Sequence, residues 1–387
     1  MSFDGSGIDR LLKDAVNNGT CHGVAALVVD RDSVLHESFA GAAAPDTMFR
    51  NASMTKAAAT MGALQLVEHG RLDLDATVAS VLPEFAELQV LDGFDRGRPI
   101  LRAPASAPTI RQLMNHTAGL GYFFLNEDLL RYCMQTGVPS PLEGRKAALL
   151  APLVNDPGTV WEYGVSTDWL GLVVERLSGQ RLSDYLAEHV YGPLGMTNST
   201  FAPTAEQRAR LLPVRMRTSD GTLAPTDLDL AAESEWDAAG HGSYGTIGDY
   251  SRFVRAWLGD GELDGHRLLG ADTVALAFED HLAGAPLPEI MRSAVPELSH
   301  DVPALPVPQG WGLGFHLVQV DVPGMRSAGT GDWAGIFNSY YWIDRAAGVG
   351  GVFMTQILPF FDPGLVELLA GFELATYAQV GAAVPAA

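Results

Sequence analysis

Phe49-Arg50-Asn51-Ala52-Ser53-Met54-Thr55-Lys56, running on through Ala57-Ala58-Ala59-Thr60-Met61 to His69-Gly70, is the stretch from which this 387-residue chain is best read. From Ser53 to His69 it is rich in Ala, Met and Leu, and Gly70 is a natural C-terminal stop. The pattern predicts a long, mostly buried helix starting at Ser53. Residues three apart share a helical face, which brings Ser53 and Lys56 together. The positive dipole end of a helix opposes a nearby ammonium and favours a developing alkoxide. A lysine held there gives up its proton more readily and can accept one from the serine. Free N–H groups at the same helix start can bind an oxyanion. Only three of the 25 basic residues are lysine (Lys13, Lys56 and Lys146), so the chain otherwise uses arginine for its cations. Twenty serines and three lysines would give a chance Ser-x-x-Lys roughly 0.16 times in this length. A charged lysine in an apolar helix is also costly to bury.

Working outward, Ile8, Leu11, Leu12, Ala15 and Val16 repeat at helical spacing before Gly19. The apolar runs Gly23–Val29 and Ser33–Phe39, split by Asp30-Arg31-Asp32, read as a hairpin. Beyond Gly70 the signals to about residue 240 are helical, divided by Pro/Gly loops. Thr109…Gln112 and Thr246…Asp249 look like capping boxes, and helices are expected over Ser166–Leu177 and Leu182–His189. Residues 284–308 carry six prolines and read as a rigid irregular loop. Phe315–Val322, Phe337–Ile343 and Val349–Gln356 are strand-like, and Leu365–Val380 reads as a closing helix. The expected fold class is α+β. It has an antiparallel sheet built from both termini (1–52 and 240–387), flanked by helices, with a mainly helical lobe (53–239) inserted and the site in the groove between.

A net charge of -21 argues against nucleic-acid binding, which needs Lys and Arg on phosphates. No stretch reaches the roughly 18 apolar residues of a membrane span. The N-terminus lacks a basic segment followed by an apolar core, so a cytoplasmic location is expected. Cys21 and Cys133 form no framework, and no His-Glu-x-x-His or carboxylate cluster suggests a metal.

The segment Phe49–Lys56 resembles the active-site motif of the serine β-lactamase/penicillin-binding-protein superfamily, which includes class C β-lactamases, DD-peptidases and family VIII carboxylesterases. Gly70-Arg-Leu-Asp-Leu-Asp75, Leu113-Met-Asn-His116-Thr-Ala-Gly-Leu120 and Gly192-Pro-Leu-Gly-Met196 resemble its other landmarks, in order. Val90-Leu-Asp-Gly-Phe94 and Val154-Asn-Asp-Pro-Gly158 look closest to the branch of carboxylesterases and polyketide acyltransferases. The resemblance implies a second motif at Trp161-Glu162-Tyr163-Gly164-Val165, with Tyr163 sharing a proton network with Ser53 and Lys56. It implies a third at Trp333-Ala334-Gly335-Ile336, similar to the Trp-Gly-Gly segment of family VIII esterases. Gly329-Thr330-Gly331 is the competing register. In the first of these, the Ile336 and Ser53 N–H groups form the oxyanion hole and Trp333 and Gly335 line the acyl pocket. Tyr122, Phe123 and His241 are further candidates for the pocket wall.

Two departures count against a β-lactam substrate. Val165 stands where β-lactamases carry the Asn of Tyr-x-Asn, and no lysine follows Lys146, so a Lys-Thr-Gly motif cannot form. His116 is expected to be architectural, and Ser166, which fails the Gly-x-Ser-x-Gly pattern, to be a helix N-cap. The expected activity is hydrolysis of small carboxylic esters through an acyl-Ser53 intermediate, without a cofactor. Transfer of the acyl group to an alcohol or amine acceptor is the alternative, and β-lactamase or DD-peptidase chemistry the second alternative. A non-enzymatic binding role would suit a chain that lacked Ser53, Lys56 or Tyr163, and all three are present.

Overall fold

A computed structural model describes residues 3–231 and 233–383. Its centre is a seven-stranded, wholly antiparallel sheet of β1 (Gly23–Asp30), β2 (Val34–Gly41), β3 (Gln309–Trp311), β4 (His316–Val318), β5 (Gly331–Gly335), β6 (Ser339–Asp344) and β7 (Val349–Met354). The spatial order is β3-β4-β5-β6-β7-β1-β2, so β1 lies between its own hairpin partner and the last strand of this sheet. The sheet is therefore built from both ends of the sequence, as expected.

Both faces are covered, which is why β1 is apolar at almost every position rather than alternating. Val24, Ala26 and Val28 pack with α1 (Ser6–Asn17) and the closing helix Pro363–Ala383 in a core containing Ile8, Leu12, Trp342, Phe353, Leu368 and Phe372. Ala25, Leu27 and Val29 face the larger core, beside α2 (Thr55–Glu68), α3 (Ser166–Ser178) and α4 (Ile247–Leu258). We label the closing helix α5. Two adjacent glycines allow the close packing on opposite faces of β7. A Cβ on Gly350 would stand 2.5 Å from Val254 of α4, and one on Gly351 only 2.1 Å from the Trp342 ring.

Several local expectations need correction. Helix α2 begins at Thr55, because Ala52–Met54 forms a separate 3-10 turn that carries Ser53. Ser166 is the first residue of α3 rather than its cap. Val165 holds the cap position, and among the described residues the buried Ser166 Oγ has no hydrogen-bond partner. Thr109 and Gln112 form the reciprocal box. Thr246 caps α4 by accepting from the Asp249 N–H, but the Asp249 carboxylate turns to Asn198 and Ser199 instead. The helix expected over Leu182–His189 is α-helical only to Leu186 and continues as a π-turn to Tyr191. Within the region read as helical, Val90–Asp95 and Arg98–Arg102 pair as a hairpin.

Gly351→Ala should drive Trp342 off its seat against Phe372 and Tyr377. We expect a loss of about 1–3 kcal/mol, the usual cost of overpacking, measured as a lower urea midpoint. An unchanged midpoint would mean that Trp342 has room to move.

Candidate active site

Ser53 sits where strand gives way to helix, and that turn is tied down from distant parts of the chain. Gln356 pairs with both backbone groups of Arg50, its Oε1 accepting from the N–H at 3.2 Å and its Nε2 donating to the C=O at 3.2 Å. The Asn51 amide donates to Ser243 Oγ (3.0 Å), which also lies 2.8 Å from Thr55 Oγ1. Tyr250 OH donates to the Met54 C=O at 3.0 Å. Ala52, held between these anchors, has φ 46°, in the left-handed region. A non-glycine residue adopts that conformation only where its surroundings over-determine it. The strain aims the next side chain, Ser53, out of the turn.

Lys56, in the first turn of α2, is buried. Its Nζ makes three contacts, to Ser53 Oγ (3.1 Å), Tyr122 OH (3.0 Å) and the Gly240 carbonyl (2.8 Å). An ammonium donates to all three. A neutral amine satisfies the same geometry by accepting from Ser53 O–H through its lone pair and donating its two protons to Tyr122 and Gly240. The arrangement therefore fits a base that removes the serine proton. Two phenol rings flank the amine, Tyr163 at 4.7 Å and Tyr122 at 5.1 Å from Nζ to the ring centre.

Tyr163 lies beside Lys56, but its hydroxyl is engaged elsewhere and accepts from Trp333 Nε1 at 2.9 Å. Tyr122, expected as pocket wall, is the tyrosine whose hydroxyl meets Lys56. Burial pushes the Tyr122 phenol well above its usual range, so it stays protonated. The loop of Tyr163 is docked by its neighbours. Glu162 N–H donates to the His116 C=O (2.9 Å), and Gly164 lies so close to Leu120 O that a Cβ would approach to 2.1 Å. His116 is architectural in this sense. It is buried at φ 59°, packs against Trp161, Tyr163 and Trp311, and burial holds its imidazole neutral.

The third segment is a strand that sequence patterning missed, because Gly-Asp-Trp-Ala-Gly contains no β-branched residue. In β5, Gly335 abuts the serine turn, and a Cβ there would lie 2.6 Å from the Asn51 carbonyl. Trp333, Gly335 and Ile336 share a cavity of about 510 Å³ with Ser53. Thr330 of the competing register is buried, with its hydroxyl on the Ser327 carbonyl. The far wall of this cavity comes from the proline-rich loop. Leu287, Pro288, Met291 and residues 302–307 line it, and Ile290–Met291 pairs with Val302–Pro303 as a small ribbon. A second cavity of about 50 Å³ also reaches Ser53, bounded by Tyr122, Phe123, Leu142, His241, Leu298, Ile336 and Phe337. Among the described residues no group of His, Cys, Asp or Glu is arranged to hold a metal ion. No helix among them is long and apolar enough to cross a membrane.

The β-lactamase family profile matches residues 8–373. The chain belongs to this family. Within it, the chain is 36% identical over 348 residues to monacolin J acid methylbutanoyltransferase of Aspergillus terreus, covering 86% of this chain and 83% of that protein. It is 32% identical to lovastatin esterase of Penicillium rubens, over 87% of this chain and 86% of that one. Unliganded simvastatin synthase (LovD) from Aspergillus terreus superposes with a TM-score of 0.83 at 29% identity, covering 96% and 97% of the two chains. The hydrolase EstCE1 shares the fold at 22% identity, with a TM-score of 0.77 over 96% of this chain and 98% of that one. These matches put the chain in the esterase and acyltransferase branch of the serine β-lactamase superfamily.

Two measurements test this geometry. Gly335→Ala must push β5 away from Asn51, and we expect Ser53 labelling by a fluorophosphonate, read where the variant is still fully folded, to slow by about tenfold to a hundredfold, with a lower thermal midpoint from the overpacking. An unchanged rate would detach β5 from the reacting centre. His241 is pushed down to about 3 by burial and then by Lys56, so it is neutral at any pH above that. For a base this means that protonation favours the unfolded chain, and the stability it confers is lost as pH falls from its ordinary 6.5. It cannot supply a limb of the pH–rate profile near neutrality, so His241→Gln should leave the limb positions in place. A limb that vanished in this variant would make His241 a proton carrier.

Proposed function

We propose that the chain is a serine acyltransferase: Ser53 takes an acyl group from an ester-type donor and passes it to a hydroxyl of an apolar small-molecule acceptor, with water as the competing acceptor. The observation that carries this reading is the apolar cavity of about 510 Å³ opening onto Ser53, within the range of pockets that enclose drug-sized molecules. Hydrolysis alone needs room only for donor and water. The acyltransferase relatives support the same order of preference, reversing the ester hydrolysis that the sequence put first. Hydrolysis stays as the second reading because of the relative named lovastatin esterase.

In this reading neutral Lys56 accepts the Ser53 proton as Oγ attacks the donor carbonyl. The N–H groups of Ser53 and Ile336 hold the oxyanion, which the close approach of Gly335 to Asn51 makes feasible. The C–O bond to the donor alcohol breaks and that alcohol leaves with the proton that Lys56 took, while the Tyr163 hydroxyl, which lines the same cavity as Ser53, donates to the departing oxygen. The acceptor hydroxyl then gives its proton back through the same groups as its oxygen attacks the acyl-enzyme, and Ser53 is released with its hydrogen. Trp333 fixes the direction of the Tyr163 hydroxyl from one side, leaving its O–H to face the reacting atoms. The small cavity takes the acyl chain. Its 50 Å³ corresponds to roughly three to five water-sized positions, which suits a short or branched acyl group.

The test is product partition. The protein is given p-nitrophenyl butanoate with millimolar hydrophobic alcohol, and free acid and new ester are counted by mass spectrometry. We expect the ester to dominate and butanoyl donors to outperform octanoyl donors. Ser53→Ala should abolish both products, and Lys56→Ala or Tyr163→Phe should each reduce turnover at least about a hundredfold. Acid as the sole product with every alcohol tried would make the enzyme an esterase. Ester turnover surviving in Ser53→Ala would remove the nucleophile.

A further inference from the structure

Asp168 lies in the first turn of α3, five residues past Tyr163, and its side chain is fully buried. Its Oδ1 accepts from the Gly240 N–H at 2.6 Å, and the carbonyl of that same Gly240 accepts from Lys56 Nζ at 2.8 Å. The contact leaves no room for a side chain at residue 240, where a Cβ would stand 2.5 Å from Asp168 Oδ2. Among the described residues that second oxygen has no hydrogen-bond partner. A buried carboxylate oxygen without a donor is expensive, and a helix start, which favours negative charge, offsets only part of the cost. Such a group persists where its charge is used.

We propose that Asp168 is a positioning residue for the Lys56 base: it holds the Gly240 carbonyl on Nζ, and its negative charge sets where the acid limb of the pH–rate profile falls. This rests on Lys56 acting as base for Ser53, and not on which acceptor receives the acyl group.

The surroundings isolate this pair. The titratable groups facing Lys56 are Tyr122 and Tyr163 from the two docked loops, His116 from the turn beneath them, His241 from the loop after Gly240, and Asp168 from α3. Burial keeps both histidines and Tyr122 uncharged, so among these groups Asp168 is the anion available to balance an ammonium. Burial raises Asp168 to about 6, with Lys56 and the Gly240 N–H opposing the rise. Above that pH the carboxylate is ionised and favours the ammonium form of Lys56. Removing the charge while keeping the acceptor must therefore make Lys56 a base at lower pH.

The experiment reads Ser53 reactivity directly, as the rate of labelling by a fluorophosphonate between pH 4.5 and 9. Asp168→Asn retains an oxygen for the Gly240 N–H, and we expect its acid limb to lie at least half a pH unit below the parent's, with a plateau within tenfold. Asp168→Ala loses the anchor as well, and its plateau should fall at least a hundredfold. A profile for Asp168→Asn superimposed on the parent's, beside a slow Lys56→Ala, would overturn the role of Asp168 alone. Normal labelling of Lys56→Ala would overturn the base assignment and the proposal with it. A measurement on the unmodified protein needs no variant to fold. With only three lysines in the chain, 13Cε-lysine NMR resolves Lys56, whose resonance should show a step near pH 6 as Asp168 ionises. Absence of that step would equally overturn the proposal.

Discussion

A primary amine with three fixed neighbours and almost no access to water is the constraint around which this molecule is arranged. Lys56 Nζ is reached by a serine from the 3-10 turn before its helix, a tyrosine from the loop after the His116 turn, and a carbonyl from residue 240. Each comes from a different part of the chain. Burying the ammonium is unfavourable unless every proton has an acceptor. The loops that supply those acceptors are accordingly held by contacts too close for any side chain, at Gly164 and Gly240. The large core is less a reservoir of stability than a frame that keeps these backbone segments within reach of one nitrogen.

Ser53 is fixed by opposite means. It is only partly buried, and its precision comes from backbone strain at Ala52, clamped by Gln356, Ser243 and Tyr250. A strained turn relaxes unless its neighbours forbid it. Strand β5 completes the clamp from the other side, so the segment bearing Trp333 and Ile336 also restrains the turn that it serves.

Much of this was legible in the chain. The two apolar runs around Asp30-Arg31-Asp32 read as the hairpin that β1 and β2 form, and the Ser53–Lys56 spacing holds although Ser53 precedes the helix, because a 3-10 turn also brings residues three apart together. Tyr163 is singled out through resemblance as part of a proton network with Ser53 and Lys56; its ring lies beside Lys56, with its hydroxyl on Trp333. What stayed hidden has physical reasons. Asp168 reads as an ordinary first-turn acid, since burial of a helical carboxylate depends on what packs over it. Tyr122 could be placed near the cleft but not in the hydrogen-bond network. The proline-rich loop looked like mere connection, although Leu287, Met291 and Val302 face the cavity. Strand β5 was invisible to β-propensity, because close approach to the serine turn demands Gly335 and leaves little room for branched side chains.

The place of β1 in the sheet has a consequence for how the protein comes into being. During synthesis the first hairpin emerges with one long apolar edge bare, and its partner β7 is made some three hundred residues later. Gln356, which restrains the serine turn, is just as late, and Ser243 comes 192 residues after the Asn51 it holds. Pairings of such sequence separation form slowly, and an unpaired strand edge invites association with other chains. A ribosome-bound or truncated chain of this kind is thus prone to aggregate until β7 arrives, and its serine turn stays unrestrained by Gln356 until then.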